Sequence, residues 1–132
     1  MIRRLVYVSR PRPGLPVVEI PRIVSVCRAR NEIEGISGVL LYTGLDFAQV
    51  IEGPLQPVEN LWARIRADDR HCDIVTLIDE RALSPWFSDW RVGYPAGGTV
   101  MAQVSAWRTR AGGFDETERL KLRQLLAVVD AS

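Results

Sequence analysis

Two apolar runs, residues 37–43 and 46–52, flank the turn at Gly44, so Val39–Tyr42 and Phe47–Ile51 read as a β-hairpin. The segments on either side must supply the rest of a sheet. Upstream, residues 2–9 place Leu5, Tyr7 and Ser9 on one side and Val6 and Val8 on the other. That is the period of a strand buried on both faces, and Pro11, Pro13, Gly14 and Pro16 end it. From Pro21, the residues Ile23, Val24, Val26 and Cys27 fall at helical spacing up to Asn31, and Gly35 stops the pattern. Downstream, Pro54 and Pro57 lead into Val58, Leu61, Trp62 and Ile65, a second helix that closes near Asp68 and Asp69. Residues 73–80 read as a strand, Ser84-Pro85 as a turn and Trp90–Tyr94 as a last strand. The order β-α-β-β-α-β-β predicts an α+β fold, a ferredoxin-like sheet with two helices on one face.

Two further short helices are expected in the tail, so that the chain divides into residues 1–98 and a helical extension over 99–132. Val100, Val104 and Trp107 share one helical face. After Gly112-Gly113, Asp115-x-x-Glu118 resembles a capping box and Leu122, Leu125, Leu126 and Val129 make a second stripe. These stripes need a cover, either the open face of the sheet, as a helix-turn-helix cap, or another subunit or partner.

Composition narrows the function classes. With 132 residues, 47% hydrophobic and 25% charged, the chain is one domain's worth of an average globular protein. Seventeen basic residues against 16 acidic ones leave a net charge of +1, which gives no reason to expect nucleic acid or an anionic membrane as a partner. Two cysteines, Cys27 and Cys72, make no disulfide scaffold, and the strand-like start is unlike a signal peptide, so a cytoplasmic protein is expected. No apolar run approaches the ~18–20 residues of a membrane span.

Phosphate-binding glycine loops and cysteine or histidine pairs at metal-ligand spacing are absent, which excludes nucleotide hydrolysis and zinc chemistry and leaves no metal site. The single histidine, His71, would have to serve any Ser-His or Cys-His mechanism. Its neighbour Cys72 points elsewhere on a strand, so a structural cysteine and a loop histidine are the simpler reading. An RNA-binding sheet is disfavoured by the neutral charge and the lack of an aromatic-rich signature.

More informative are polar residues where a core prefers hydrocarbon. Gln49 shares a face with Phe47 and Ile51, and burying its amide unpaired would cost ~1–3 kcal/mol. Tyr7 likewise carries a hydroxyl that needs a partner. If the first and third strands are neighbours, the two side chains can hydrogen-bond on one face, whether as a structural or a functional pair. Asn31 alone reads as a helix-terminus residue, and residues 68–71 alone as a solvated turn.

A resemblance joins these residues. Leu5-Val-Tyr7-Val-Ser9; Arg28-Ala-Arg30-Asn31-x-x-x-Gly35-Ile-Ser-Gly38-x-Leu-Leu-Tyr42; Phe47-Ala-Gln49-Val-Ile-Glu52-Gly53; Ile65-x-x-Asp68-x-Arg70-His71; and Phe87-x-x-Trp90 together resemble a BLUF domain, the blue-light sensor that uses FAD, in order over about residues 2–94. The resemblance implies non-covalent FAD, with FMN or riboflavin as alternatives because the matching residues grip the ring. Ile23 and Ile65 match the side chains that sandwich the ring, and Asn31 matches the amide at the flavin pyrimidine edge, where a donor and an acceptor are both needed. Arg30 stands beside it at a position that varies in the family. Arg64, Asp68, Arg70 and His71 fall where the family lines the rim of the pocket, and are read as structural residues, with a flavin or phosphate contact as the alternative.

Tyr7 and Gln49 match the photoactive pair. The resemblance implies electron and then proton transfer from Tyr7 through Gln49, leaving the glutamine with a stronger bond to flavin C4=O in a reversible, red-shifted state. Trp90 matches the family's tryptophan, which occurs facing in or out, and Val92 replaces the usual methionine of the signal relay. Cys27 stands where serine is frequent, and Ser37 replaces a threonine. With no output enzyme of its own, the chain is expected to be a short stand-alone sensor, not an enzyme, signalling to a downstream protein and forming a homo-oligomer. The alternative is a cofactor-less ferredoxin-like interaction module.

Overall fold

The structure is a computed structural model in which residues 1–16, 31–93, 98–109 and 114–127 are described, the side chains of 98–101 and 127 excepted. Five strands, β1 (Ile2–Pro11), β2 (Ser37–Tyr42), β3 (Phe47–Gly53), β4 (His71–Ala82) and β5 (Trp90–Gly93), form one sheet in the order β4-β1-β3-β2-β5. The first four pair antiparallel in the ferredoxin-like arrangement, and β5 adds a parallel edge beside β2. Among the described residues, helix α1 (Leu55–Ala67) lies between β3 and β4, and α2 (Gly98–Trp107) and α3 (Glu116–Ala127) come after β5. The helix expected from Pro21 is represented by the helical residues 31–34; Ile23, Cys27 and Arg30 lie outside the described residues.

Strand periodicity sorts the core into two layers. On one face, Leu5, Tyr7 and Ile51 pack with Val58, Leu61 and Trp62 of α1. On the other, Val6, Val8, Val39, Leu41, Ala48 and Val50 pack with Val104, Trp107, Leu122 and Leu126 of α2 and α3. Because both faces are covered, β1 is buried from Arg4 to Ser9 and β3 along its whole length. Val100 and Val129, expected in the same stripes, have no described side chains.

Asp115 caps α3, accepting the Glu118 N–H at 3.0 Å. The Glu118 carboxylate accepts the Trp107 indole N–H at 3.1 Å, binding α3 to α2 inside the core. A second polar tie crosses the sheet: Glu52, fully buried, accepts from Arg4 Nε at 2.8 Å and from the backbone N–H groups of Trp86 and Phe87. Arg4 reaches on to Glu80, which Arg119 of α3 also binds.

Pro54 and Pro57 fit the start of α1, where missing N–H groups leave no helical bond unmade. β4 is longer than the apolar run at 73–80, because its polar ends still pair with β1: Pro11 with His71, and Ile2 with Ala82. The expected loop histidine is therefore the first residue of a strand. A register shift between Val8 and Arg10, near Asp73 at φ 55°, bends that end of the sheet.

Candidate functional site

A cleft of about 570 Å3, measured with its open mouth, lies between the α1 face of the sheet, the C-terminal end of α1 and the helical residue Asn31. Leu40, Phe47, Leu61 and Ile65 supply apolar walls, while Tyr7, Ser9, Asn31, Gln49, Asp68, Arg70 and His71 supply the polar groups.

The floor is set by strand register. Tyr7 of β1 and Gln49 of β3 are direct partners across the antiparallel pair, so both side chains project from one face. The Tyr7 hydroxyl donates to Gln49 Oε1. Both residues are buried, and the Tyr7 ring packs 5.3 Å from that of Trp62 on α1.

Asn31 is the outstanding feature of the wall. It is 1% exposed, yet neither Oδ1 nor Nδ2 has a hydrogen-bond partner. Its backbone is well held, the carbonyl accepting the Ile36 N–H at 2.9 Å, so the amide is aimed into the cleft by a fixed chain. An unpaired buried amide costs ~1–3 kcal/mol, which a ligand edge with adjacent donor and acceptor would offset.

At the other end, His71 joins three elements. Its Nε2 lies 2.6 Å from the Ile65 carbonyl of α1 and its Nδ1 2.9 Å from Ser9 Oγ of β1. A carbonyl only accepts, so Nε2 carries the proton and, in the neutral ring, the Ser9 hydroxyl donates to Nδ1. Asp68 and Arg70 close the rim through a forked pair, with Arg70 NH2 2.6 Å from Asp68 Oδ2. The Arg70 guanidinium bonded to Asp68 holds that carboxyl below the usual carboxylate range.

The structure thus brings Tyr7, Asn31, Gln49, Ile65, Asp68, Arg70 and His71 to one cleft. Arg64 is not among the lining residues; it faces Glu34 at 3.4 Å. Trp90 is buried and packs with Leu40, Phe47 and Val92 behind the cleft wall, its indole N–H without a partner. Ser9, which alternation with Tyr7 puts on the same strand face, also lines the cleft.

The BLUF profile, "sensors of blue-light using FAD", matches residues 2–93. The blue light- and temperature-regulated antirepressor BluF of Escherichia coli K12 is 37% identical over 82 residues, covering 62% of this chain and only 20% of that protein. The dark-state structure of BlrB, a BLUF protein, superposes with a TM-score of 0.75 at 31% identity over 96% of this chain and 95% of that one. The structure of Klebsiella pneumoniae BlrP1 with FMN and cyclic diGMP gives 0.71 at 27% identity, covering 97% of this chain and 36% of that one.

Proposed function

The chain belongs to the BLUF family of blue-light flavin sensors, and on that premise we propose that its cleft holds FAD non-covalently with Tyr7 and Gln49 as the photoactive pair. The observation that carries the reading is the orphaned amide of Asn31, 1% exposed and facing the same cleft as the Tyr7–Gln49 bond. Asn31 offers the donor and acceptor that a flavin pyrimidine edge requires, and Ile65 offers an aliphatic wall for the ring. From the family pattern alone, Ile23 is a second aliphatic wall for the ring, and Arg30 stands beside Asn31 at a position that varies in the family. Arg70 and His71 line the rim, and Arg64 is near enough in sequence to join them on ligand binding.

A bound flavin supplies blue-light absorption and an excited state able to accept an electron. Tyr7 is the electron and proton source, with its phenolic hydrogen already directed at Gln49 Oε1. Gln49 is the switch, because a primary amide presents a donor and an acceptor end and can exchange them without a covalent step. Burial excludes water from this exchange and lets the starting arrangement return in the dark. Trp90 and Val92, packed behind Phe47 and Leu40, carry the change into β5.

BLUF domains are sensor modules whose relatives include larger signalling proteins. For this chain the reading is a non-enzymatic, cytoplasmic sensor that signals to a separate protein, with α2 and α3 as the output face and as the surface of a homo-oligomer.

The test is the visible spectrum of the purified protein in the dark, under blue light and again in the dark. A flavin spectrum that shifts to the red with its shape kept, then relaxes, is expected, and extraction of the ligand identifies FAD, FMN or riboflavin. A protein that stays colourless after FAD is added overturns the reading in favour of a cofactor-less interaction module.

A further inference from the structure

At the tip of the β2–β3 hairpin, Asp46 buries its carboxylate completely, one residue before Phe47 and three before Gln49. Its backbone is pinned by Thr43, whose N–H donates to the Asp46 carbonyl at 3.0 Å and whose hydroxyl accepts the Asp46 N–H at 3.1 Å. The side chain is held unequally. Oδ2 accepts a 2.7 Å bond from the Ser105 hydroxyl of α2. Oδ1 is shared by two guanidiniums, Arg10 of β1 at 3.3 Å and Arg108, just past the end of α2, at 3.6 Å.

Neither contact reaches the ~2.7–2.9 Å of a strong charge-assisted bond. The Arg108 NH1 that faces Oδ1 is buried and has no hydrogen-bond partner. A buried charge pair left partly unmade is unfavourable, and a shift of ~0.5 Å completes one contact at the expense of the other. Packed sites of this kind settle into discrete arrangements rather than deforming continuously.

We infer that Asp46 is a two-position clamp between the sensing strands and the C-terminal helices. In the dark its carboxylate holds α2 through the Ser105 hydroxyl, with Arg108 in electrostatic range and Arg10 on a long 3.3 Å hydrogen bond; in the lit state it closes further on Arg10 and α2 loosens. This rests on the assignment of Gln49 above, because β3 carries both residues and β1 carries both Tyr7 and Arg10. The direction follows from the distances. The Arg108 contact is longer and unbonded, so it yields first, and Arg108 retains a second carboxylate, Asp73, at 3.9 Å.

The experiment is hydrogen-deuterium exchange of the full flavin-loaded chain, dark and under blue light, with absorption recorded in parallel. In the wild type, exchange over residues 98–109 should rise about tenfold on illumination. Asp46→Asn, which keeps the volume and removes the charge, should exchange fast already in the dark and gain less than about twofold in light while the red shift persists. Arg10→Gln, at a half-exposed side chain, should stay slow in both states. An Asp46→Asn protein with the full light step, or an Arg10→Gln protein that responds as the wild type does, overturns the clamp; if Asp46→Asn fails to fold, Arg10→Gln decides. A wild type that shows the red shift and no change in α2 overturns the clamp alone. A wild type without the shift overturns the photochemical reading and the clamp together.

Discussion

Tyr7 and Gln49 stand directly opposite one another across β1 and β3, and the phenolic hydroxyl donates to the amide oxygen. The bond fixes the amide's orientation, with Oε1 toward the phenol and Nε2 away from it.

Tyr7→Phe should therefore abolish the reversible red shift while flavin binding changes by less than about threefold, since the ring packing survives. Removing the hydroxyl leaves a buried acceptor unpaired, so the variant should also lose ~1–3 kcal/mol in urea unfolding. A retained photocycle would remove Tyr7 from the pair.

Asn31→Leu separates binding from stability. The unpaired amide is a cost to the flavin-free protein, so its replacement by a similar apolar volume should leave the melting temperature of that form unchanged or raise it. Flavin affinity should fall by about tenfold or more, the equivalent of one or two hydrogen bonds. Equilibrium titration with FAD and thermal unfolding of the flavin-free protein check the two halves.

Gly38→Ala should prevent folding. Its φ is +147°, and a Cβ there would stand 1.9 Å from the Val50 carbonyl oxygen of the paired strand, so backbone must move. A cost above ~4 kcal/mol is expected, measured as loss of soluble folded protein. Gly35→Ala, at φ +73° with its nearest neighbour 4.0 Å away, should cost only ~1 kcal/mol.

Acid should loosen α3 through Glu80. The hydrogen bond from Arg119 on α3, with that from Arg4, holds the Glu80 carboxyl below its ordinary range despite partial burial. A carboxyl depressed in the folded state contributes stability that is complete above its unfolded pKa of ~4.3 and is lost as pH falls through the folded value. Unfolding free energy should thus drop as pH is lowered from about 5 to about 3, and Arg119→Met should flatten that slope. Equal slopes would show that the contact carries no linkage.

What the sequence disclosed was local. Alternation at 2–9 and 46–52 placed Tyr7 and Gln49 on one face, and helical spacing found Leu61 and Ile65 across from them, so most of the cleft could be assembled before any contact was known. Its missing members are pairings between distant positions. From spacing alone His71 reads as a turn residue, and only the family resemblance puts it at the pocket rim; in the fold β4 extends to meet Pro11 and the ring bridges Ser9 to Ile65. Asp46 and Glu52 look like hairpin and strand-end charges, and only the tertiary fold shows that both are fully buried on arginines. Charge burial leaves no periodic trace, because a buried and a solvated aspartate occupy the same turn equally well.

The edge strand has a kinetic consequence. Over its described residues, Trp90–Gly93, β5 runs parallel to β2 and meets it across about fifty positions of chain, Gly38 opposite Trp90. Closing so long a loop yields few ladder bonds, and parallel pairs are the less stable kind. β5 should join the sheet after the antiparallel strands have formed and be the first to leave it in partial opening. Trp90, which backs the cleft wall, therefore sits on the part of the sheet that opens at the lowest free energy.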